Sequence, residues 1–194
     1  VYMRQGVNIA AETSFIDKRE KKPFVIGYVG QIAEHKGVHL LIDAMKQLPE
    51  DIQLWIFGDR TKHTDYANSI LLEASDDNRI HYKGVFKGAN KSDIYKGLDC
   101  IVVPSIWYEN SPNVIIEAQS LHKPVIASRA GGMIEMINEG VTGELFELGD
   151  SKSLTEMIKK VRTDYEQYLF STLEYTSIEK EMDKLVSLYT GLLK

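Results

Sequence analysis

Two glutamates eight residues apart, Glu109 and Glu117, are the side chains in this sequence best placed to act on a ligand. The first follows an apolar run, Cys100–Val103, which predicts a buried strand. The second lies where apolar residues recur at helical spacing. We predict that Ser111 caps this helix and that Pro112 takes its first position. Because helix-start amides attract anions, the segment predicts a site for a phosphate-bearing ligand between the two carboxylates.

Strand and helix signals alternate along the chain. Short apolar runs predict six strands, at residues 24–29, 52–57, 79–82, 100–103, 124–127 and 143–146. Apolar residues at helical spacing predict helices between these strands and a final amphipathic helix at 177–194. The alternation indicates an α/β fold, a doubly wound, Rossmann-like parallel sheet of about six strands with helices on both faces.

The loops after the predicted strands are rich in glycine. All strands of a parallel sheet point the same way, so these loops line one edge, where ligands bind in this architecture. Taken alone, Gly58 and Gly84 are best explained as residues that end strands. The whole set favours a second role, the close approach of backbone to a ligand. It comprises Gly30, Gly37, Gly58, Gly84, Gly88, Gly131 and Gly132.

Composition and charge are those of an ordinary globular domain. The chain has 194 residues, 43% hydrophobic and 26% charged, and a formal net charge of −5, so we predict a single domain over residues 1–194. The negative charge, without any Lys/Arg tract, argues against nucleic acid as a partner. No apolar run reaches membrane-spanning length, and we expect a cytoplasmic setting.

Several familiar active-site motifs are missing from the sequence. No G-x-G-x-x-G follows the first strand, no G-x-x-x-x-G-K-[ST] occurs, and there is no G-x-S-x-G. A nicotinamide fingerprint, a P-loop and a nucleophile elbow are therefore excluded. His35 and His39 stand four residues apart across a predicted loop-to-helix junction without an accompanying motif, so we predict no metal site.

The chemistry-bearing segments resemble those of retaining glycosyltransferases of family 4, which have the two-domain GT-B fold. The loop at 30–37 resembles that family's G-R-L-x-x-x-K-G loop, and the segment from Glu109 to Glu117, with its Pro-Asn helix start, resembles the E-x7-E motif. Two later elements and an early one are similar too: Gly131-Gly132-x-x-Glu135, Gly140-x-x-Gly143 and Gly6-Val7-Asn8. The resemblance covers nearly the whole chain but only the second, donor-binding half of a GT-B enzyme.

This resemblance implies an enzyme that moves a hexose from a nucleotide-diphosphate sugar, UDP- or GDP-linked, to a glycan, lipid or other acceptor with retention of anomeric configuration. It implies no metal and no other cofactor, and polysaccharide biosynthesis as the setting. The chain would be a fragment without the N-terminal acceptor domain. The helix at 177–194 would pack on that missing domain, which would also carry any membrane association. We expect the fragment alone to bind donor but to transfer nothing.

The resemblance also implies roles for individual residues. Glu109 would be the catalytic residue, beside the transferred sugar and the departing diphosphate. Lys36 would bind the donor diphosphate, and Glu117 would accept hydrogen bonds from the ribose hydroxyls. Val85 and Phe86 would meet the nucleobase. The other donor-binding positions are the first loop and the helix start, whose amides and dipole favour anions: Gly30, Gln31, Ser111, Pro112, Asn113 and Val114.

Gln31 departs from the family pattern, which has arginine at this position. Glutamine hydrogen-bonds a phosphate but carries no charge, so the departure predicts weaker donor binding or a substitute cation. Arg60 and Arg129 are the candidates by loop position. A weakened or inactive relative also stays open.

Two further interpretations of the sequence stay open. One is another GT-B enzyme, such as a nucleotide-sugar 2-epimerase, against which the first loop and the paired glutamates argue. The other is a non-catalytic, flavodoxin-like binding module. A receiver-type module would carry an acidic cluster after its first strand, where this chain has Gln31, Glu34 and Lys36 instead.

Overall fold

The computed structural model describes residues 23–85, 91–169 and 178–192. Within them, six parallel strands form one sheet in the order β3-β2-β1-β4-β5-β6. The strands are β1 (Phe24–Val29), β2 (Ile52–Phe57), β3 (Ile80–Gly84), β4 (Cys100–Val103), β5 (Val125–Ser128) and β6 (Gly143–Phe146). The predicted α/β fold with a doubly wound parallel sheet is confirmed.

Helices connect the strands and cover both faces of the sheet. A 3-10 turn, Glu34–Lys36, precedes the first helix. The α-helices are α1 (Val38–Met45), α2 (Thr64–Ala74), α3 (Lys91–Lys96), α4 (Asn113–Ser120), α5 (Met133–Met136), α6 (Ser151–Thr163), α7 (Tyr165–Leu169) and α8 (Ile178–Leu192). Among the described residues, none of these helices has the length and apolar character needed to cross a bilayer.

The sheet separates two hydrophobic cores, because successive strand residues point to opposite faces. In β1, Ile26 packs with α1, α2, α6 and α7, whereas its neighbour Val25 packs with α3, α4 and α5. Strands β4, β5 and β6 are buried along their whole length. This two-sided burial explains why β4 and the first three residues of β5 are continuous apolar runs rather than alternating ones.

Element boundaries differ from the predictions by a few residues. Strand β3 was predicted at 79–82 but runs to Gly84, and β5 begins at Val125 rather than at residue 124. Pro124 has no amide hydrogen, and it contributes to the sheet only through its carbonyl, which accepts from the Ile101 amide at 3.0 Å. The family-like segment at Gly6-Val7-Asn8 lies outside the described residues.

Helix α8 carries a row of exposed apolar side chains. Met182, Val186 and Tyr189 are spaced four and three residues apart, and each is more than half exposed. This spacing places them on one helix face. The expectation that this helix packs on another domain stays a prediction.

The start of α6 depends on a carboxylate cap. The Asp150 side chain accepts hydrogen bonds from the amides of Lys152 at 2.8 Å and Ser153 at 3.2 Å. We expect Asp150→Ala to lower the free energy of unfolding by about 1 kcal/mol, measured by urea denaturation. Asp150→Asn, which keeps the acceptor oxygen, should lose much less. Equal losses in the two variants would contradict a capping role.

Candidate functional site

The chain changes direction at the middle of the sheet, between β1 and β4. These strands are neighbours, yet β1 leads into α1 on one face and β4 leads into α4 on the other. The connections after β1 and β4 therefore run to opposite faces of the sheet. In open α/β sheets, ligands bind in the crevice outside the carboxyl ends of two such strands. We call the loop at 30–37 the first loop and the loop at 104–112 the glutamate loop.

Main-chain contacts fix the glutamate loop on its first-loop side. The Ile106 amide donates to the His35 carbonyl at 3.0 Å. Gly37 has a positive φ of 68°, and a Cβ added to it would lie 1.9 Å from the carbonyl oxygen of Pro104. Only glycine satisfies both the left-handed conformation and the close approach. The first loop and the glutamate loop therefore form one unit.

A second glycine contact fixes the other end of the glutamate loop. The Gly132 amide donates to the Glu109 carbonyl at 2.7 Å. A Cβ on Gly132 would lie 1.7 Å from the Asn110 carbonyl oxygen. Gly132 follows β5, so the glutamate loop is held between the loops after β1 and β5. At Gly37 and Gly132 the close approach is between two backbone segments. The approach of glycine backbone to a ligand stays a prediction.

Lys36 and Glu109, predicted from separate motifs, form an ion pair. The Ser105 hydroxyl donates to the same Oε1 of Glu109 at 3.0 Å. The two paired side chains are 28% and 19% exposed, so the pair lies at the crevice surface and can be reached by a ligand. Sequence reasoning missed Ser105, although its place directly after the β4–proline junction and four residues before Glu109 was a usable signal.

Glu117 is more deeply buried than the sequence indicated. Its position at the margin of the α4 apolar stripe predicted an edge residue, but it is 7% exposed. Helix α3 covers that margin, and the hydroxyl of Tyr95 on α3 donates to Glu117 Oε2 at 2.8 Å. Burial, and after it the Glu117 charge, raise the pKa of the Tyr95 hydroxyl. Tyr95 therefore stays protonated and remains a donor to the carboxylate.

The start of α4 corrects two predictions. The helix begins at Asn113, and Pro112 is the N-cap residue, with an extended backbone (φ −61°, ψ 116°). Ser111 is therefore not the cap; its hydroxyl oxygen is buried without a hydrogen-bond partner among the described residues. Gly132 packs against the Asn110 carbonyl two residues before Pro112, and we attribute the later helix start to this contact. The first-turn amides of Asn113 and Val114 have no hydrogen-bond partner within the helix. They point out of the N-terminal end of α4, toward the glutamate loop.

The remaining predicted donor residues lie along the same edge. The Gly30 amide donates to the Phe57 carbonyl at 3.0 Å, and the Gln31 carbonyl accepts from the Tyr28 hydroxyl at 2.6 Å. These bonds hold the first loop against β2 and β1. Val85 follows β3, two strands from β1, and is half exposed. Phe86 lies outside the described residues.

The two candidate substitutes for the missing arginine differ in their surroundings. Arg129 is bound to Glu139 at 2.8 Å and to Glu147 at 3.3 Å. Arg60 lies 5.8 Å from the centre of the Tyr82 ring. The charge of Arg129 is therefore already used by neighbouring carboxylates.

A surface cavity of about 730 Å³ lies at the opposite, amino edge of the sheet. Its charged residues pair with one another: Lys46 with Glu73 at 2.6 Å and Arg79 with Asp77 at 2.6 Å. The lining also contains Glu50 and Asp76, so its carboxylates outnumber its two cations. Negative charge disfavours a phosphate-bearing ligand, and we therefore place the candidate site at the carboxyl edge. Among the described residues, no cluster of three histidine, cysteine or acidic side chains has metal-binding geometry.

Comparisons with known proteins find a matching family and similar sequences. The family described as "Glycosyl transferases group 1" matches residues 10–169. The capsular polysaccharide biosynthesis glycosyltransferase CapM of Staphylococcus aureus is 33% identical over 145 residues, which is 73% of this chain and 37% of that protein. A GDP-mannose-dependent alpha-mannosyltransferase of Corynebacterium glutamicum is 34% identical over 145 residues, 75% of this chain and 32% of that protein.

Solved structures show the same fold. Anabaena HepE in complex with UDP superposes with a TM-score of 0.71 at 27% identity, over 86% of this chain and 44% of that one. HepE in complex with UDP-glucose gives a TM-score of 0.70 at 27% identity, over 85% and 44%. The chain spans less than half the length of each of these three proteins.

Proposed function

The chain belongs to the group 1 glycosyl transferases, and we propose that it is the donor-binding domain of a retaining enzyme of this family. The intact enzyme would move a hexose from a nucleotide-diphosphate sugar to a glycan, lipid or other acceptor. The observation that carries the proposal is the Lys36–Glu109 pair beside the N-terminus of α4, at the point where the sheet changes direction. A cation, a carboxylate and helix-start amides together suit a diphosphate attached to a sugar.

The diphosphate would take the place of Glu109 as the partner of Lys36. A lysine ammonium is a compact charge on a flexible stem, so it can exchange one oxygen partner for another. The first-turn amides of α4, at Asn113 and Val114, would bind the phosphate oxygens with the helix dipole. These groups would stabilise the negative charge that develops on the leaving diphosphate, without a metal ion.

The two carboxylates would serve different parts of the donor. Glu109, at the crevice surface, would orient sugar hydroxyls and stabilise positive charge at the anomeric carbon. Glu117, buried behind it on α4, would accept hydrogen bonds from the ribose hydroxyls. Val85 would border the nucleobase. The relatives include proteins described with UDP, UDP-glucose and GDP-mannose, so uridine and guanosine donors are the first to test.

The rest of the proposal concerns what the chain would need around it. A further domain would bind the acceptor and complete the cleft. The exposed apolar face of α8, formed by Met182, Val186 and Tyr189, would pack on that domain. We place the enzyme in the cytoplasm, in polysaccharide biosynthesis.

Donor binding can be tested on the 194-residue chain itself. We would titrate it with UDP, GDP and ADP and their sugar conjugates by ligand-observed NMR and calorimetry. We expect saturable binding of one nucleotide and a loss of about tenfold in Glu117→Gln, which keeps the side-chain shape but replaces one acceptor oxygen by an amide donor. Glu156→Gln, on the exposed side of α6, is the matched control and should bind as wild type. A folded chain that binds none of these ligands would overturn the proposal.

Glu109 is expected to oppose diphosphate binding while it supports sugar transfer. In the empty domain its carboxylate occupies the Lys36 ammonium. We expect Glu109→Gln, which keeps shape and the Ser105 hydrogen bond, to strengthen UDP binding about threefold by removing that competition, measured by calorimetry. Transfer by the intact enzyme should fall in the same variant. Weaker UDP binding in Glu109→Gln would show that the carboxylate does not compete for Lys36.

A further inference from the structure

We propose that Tyr95 is a positioning residue for nucleotide recognition. Its buried hydroxyl fixes the Glu117 carboxylate in the orientation that meets the ribose. The inference rests on the proposed function. It adds a residue from a different helix, which lies outside the short motifs on which the family resemblance is based.

The contact joins two helices on the same face of the sheet. Tyr95 lies on α3, which leads into β4, and Glu117 lies on α4, which follows β4. The Tyr95 hydroxyl donates to Glu117 Oε2 at 2.8 Å. Tyr95 is 1% exposed. A hydrogen bond to a carboxylate is charge-assisted, and this one is shielded from water on the tyrosine side.

The tyrosine ring cannot easily follow a moving carboxylate. It is packed in the core that also contains Ile94, Leu98 and Ile115. Close packing of this kind keeps side chains in one rotamer. The hydroxyl therefore occupies a fixed point, and the bond holds one carboxylate oxygen of Glu117 at that point before a ligand arrives. An acceptor ordered in advance lowers the entropic cost of binding the ribose.

The hydrophobic core on the opposite face of the sheet contains a comparable tyrosine–glutamate pair in different surroundings. The Tyr168 hydroxyl donates to Glu144 Oε1 at 2.6 Å, and Lys160 Nζ lies 2.8 Å from the same oxygen. Glu144 lies near the amino end of the edge strand β6, away from the crevice at the carboxyl edge. That pair joins α6 and α7 to the sheet. It offers the same bond chemistry without the proposed ligand.

The test compares ribose selectivity rather than affinity alone. We would measure the dissociation constants of UDP and of 2′,3′-dideoxy-UDP by calorimetry and take the ratio of the dideoxy constant to the UDP constant, using GDP and its dideoxy form if GDP binds more tightly. In Tyr95→Phe, we expect the UDP constant to rise about three- to tenfold and the dideoxy constant to stay unchanged, because only UDP uses the positioned carboxylate. Glu117→Gln should reduce the ratio similarly. A variant that combines both substitutions should reduce the ratio little further than either substitution alone.

Tyr168→Phe is the control. It removes a buried hydroxyl from the other tyrosine–glutamate pair, so it should lower stability without changing the ratio. Equal weakening of both ligands in Tyr95→Phe would overturn the inference, as would an unchanged ratio in Tyr95→Phe beside a reduced one in Glu117→Gln. A wild-type chain that binds neither nucleotide would overturn the proposed function instead. The two failures are therefore distinguishable.

Discussion

Gly37→Ala is expected to lower the free energy of unfolding by about 3 kcal/mol or more and to abolish nucleotide binding. Alanine would have to adopt a φ of 68°, and its Cβ would stand 1.9 Å from the Pro104 carbonyl oxygen. Backbone cannot be moved aside as a flexible side chain can, so the first loop and the glutamate loop must separate. Because Lys36 precedes Gly37 directly, this separation also breaks the Lys36–Glu109 pair.

Gly84 provides the control for backbone strain. It has a similar φ of 74°, but a Cβ there would meet nothing within 4 Å. Gly84→Ala should therefore cost only the left-handed conformation, about 1–2 kcal/mol. Urea denaturation of both variants would give the difference, which measures the close approach of the two loops. Equal losses would contradict the tight contact between Gly37 and Pro104.

The strands could be predicted well because burial on both faces leaves a simple sequence pattern. Short segments rich in apolar residues located β1, β2, β4 and β6 to the residue. Parallel connections through helices then required that the following loops share one edge. That step, which uses topology rather than contacts, predicted that the loops carrying Lys36 and Glu109 share one edge of the sheet. The roles of the two side chains came from the family resemblance.

Contacts between side chains distant in the sequence could not be predicted in this way. The Glu117 environment depends on Tyr95, 22 residues earlier and on another helix, and no local pattern connects the two. Helical spacing assigned Glu117 to the margin of its own helix but carried no information on what covers that margin. The Lys36–Glu109 ion pair could not be predicted for the same reason. It depends on the distance between two loops, which no local pattern encodes.

The predicted start of α4 was wrong by one residue, because a local sequence signal was given more weight than the surrounding structure. The Ser111-Pro112 sequence predicts an N-cap followed by the first helical residue, because serine and proline are common at these two positions. The structure gives Pro112 an extended ψ and begins the helix at Asn113. The glutamate loop is held by Gly132 at Asn110, only two residues earlier. We attribute the shift to this tertiary constraint, which overrides the preference of proline for the first helical position.

Lys36→Met is expected to weaken UDP binding about 10- to 100-fold, because a hydrogen bond between charged groups is lost and methionine keeps most of the apolar stem. Calorimetric titration measures the loss. The matched control is Lys46→Met, which removes a lysine bound to Asp43 at 2.8 Å and Glu73 at 2.6 Å at the amino edge. That variant should bind UDP as wild type. A similar loss in both would indicate a general charge effect rather than a phosphate contact.

Combining Lys36→Met with Glu109→Gln tests whether the two residues act through one another. If Glu109 weakens UDP binding by occupying Lys36, its replacement has little to release once the ammonium is gone. The gain of about threefold expected from Glu109→Gln alone should then shrink in the Lys36→Met background. A gain of undiminished size would mean that the carboxylate acts on the diphosphate directly, by repulsion. In the first case, Glu109 binds the Lys36 ammonium while the site is empty, and we propose that the ammonium moves to the diphosphate when the donor binds.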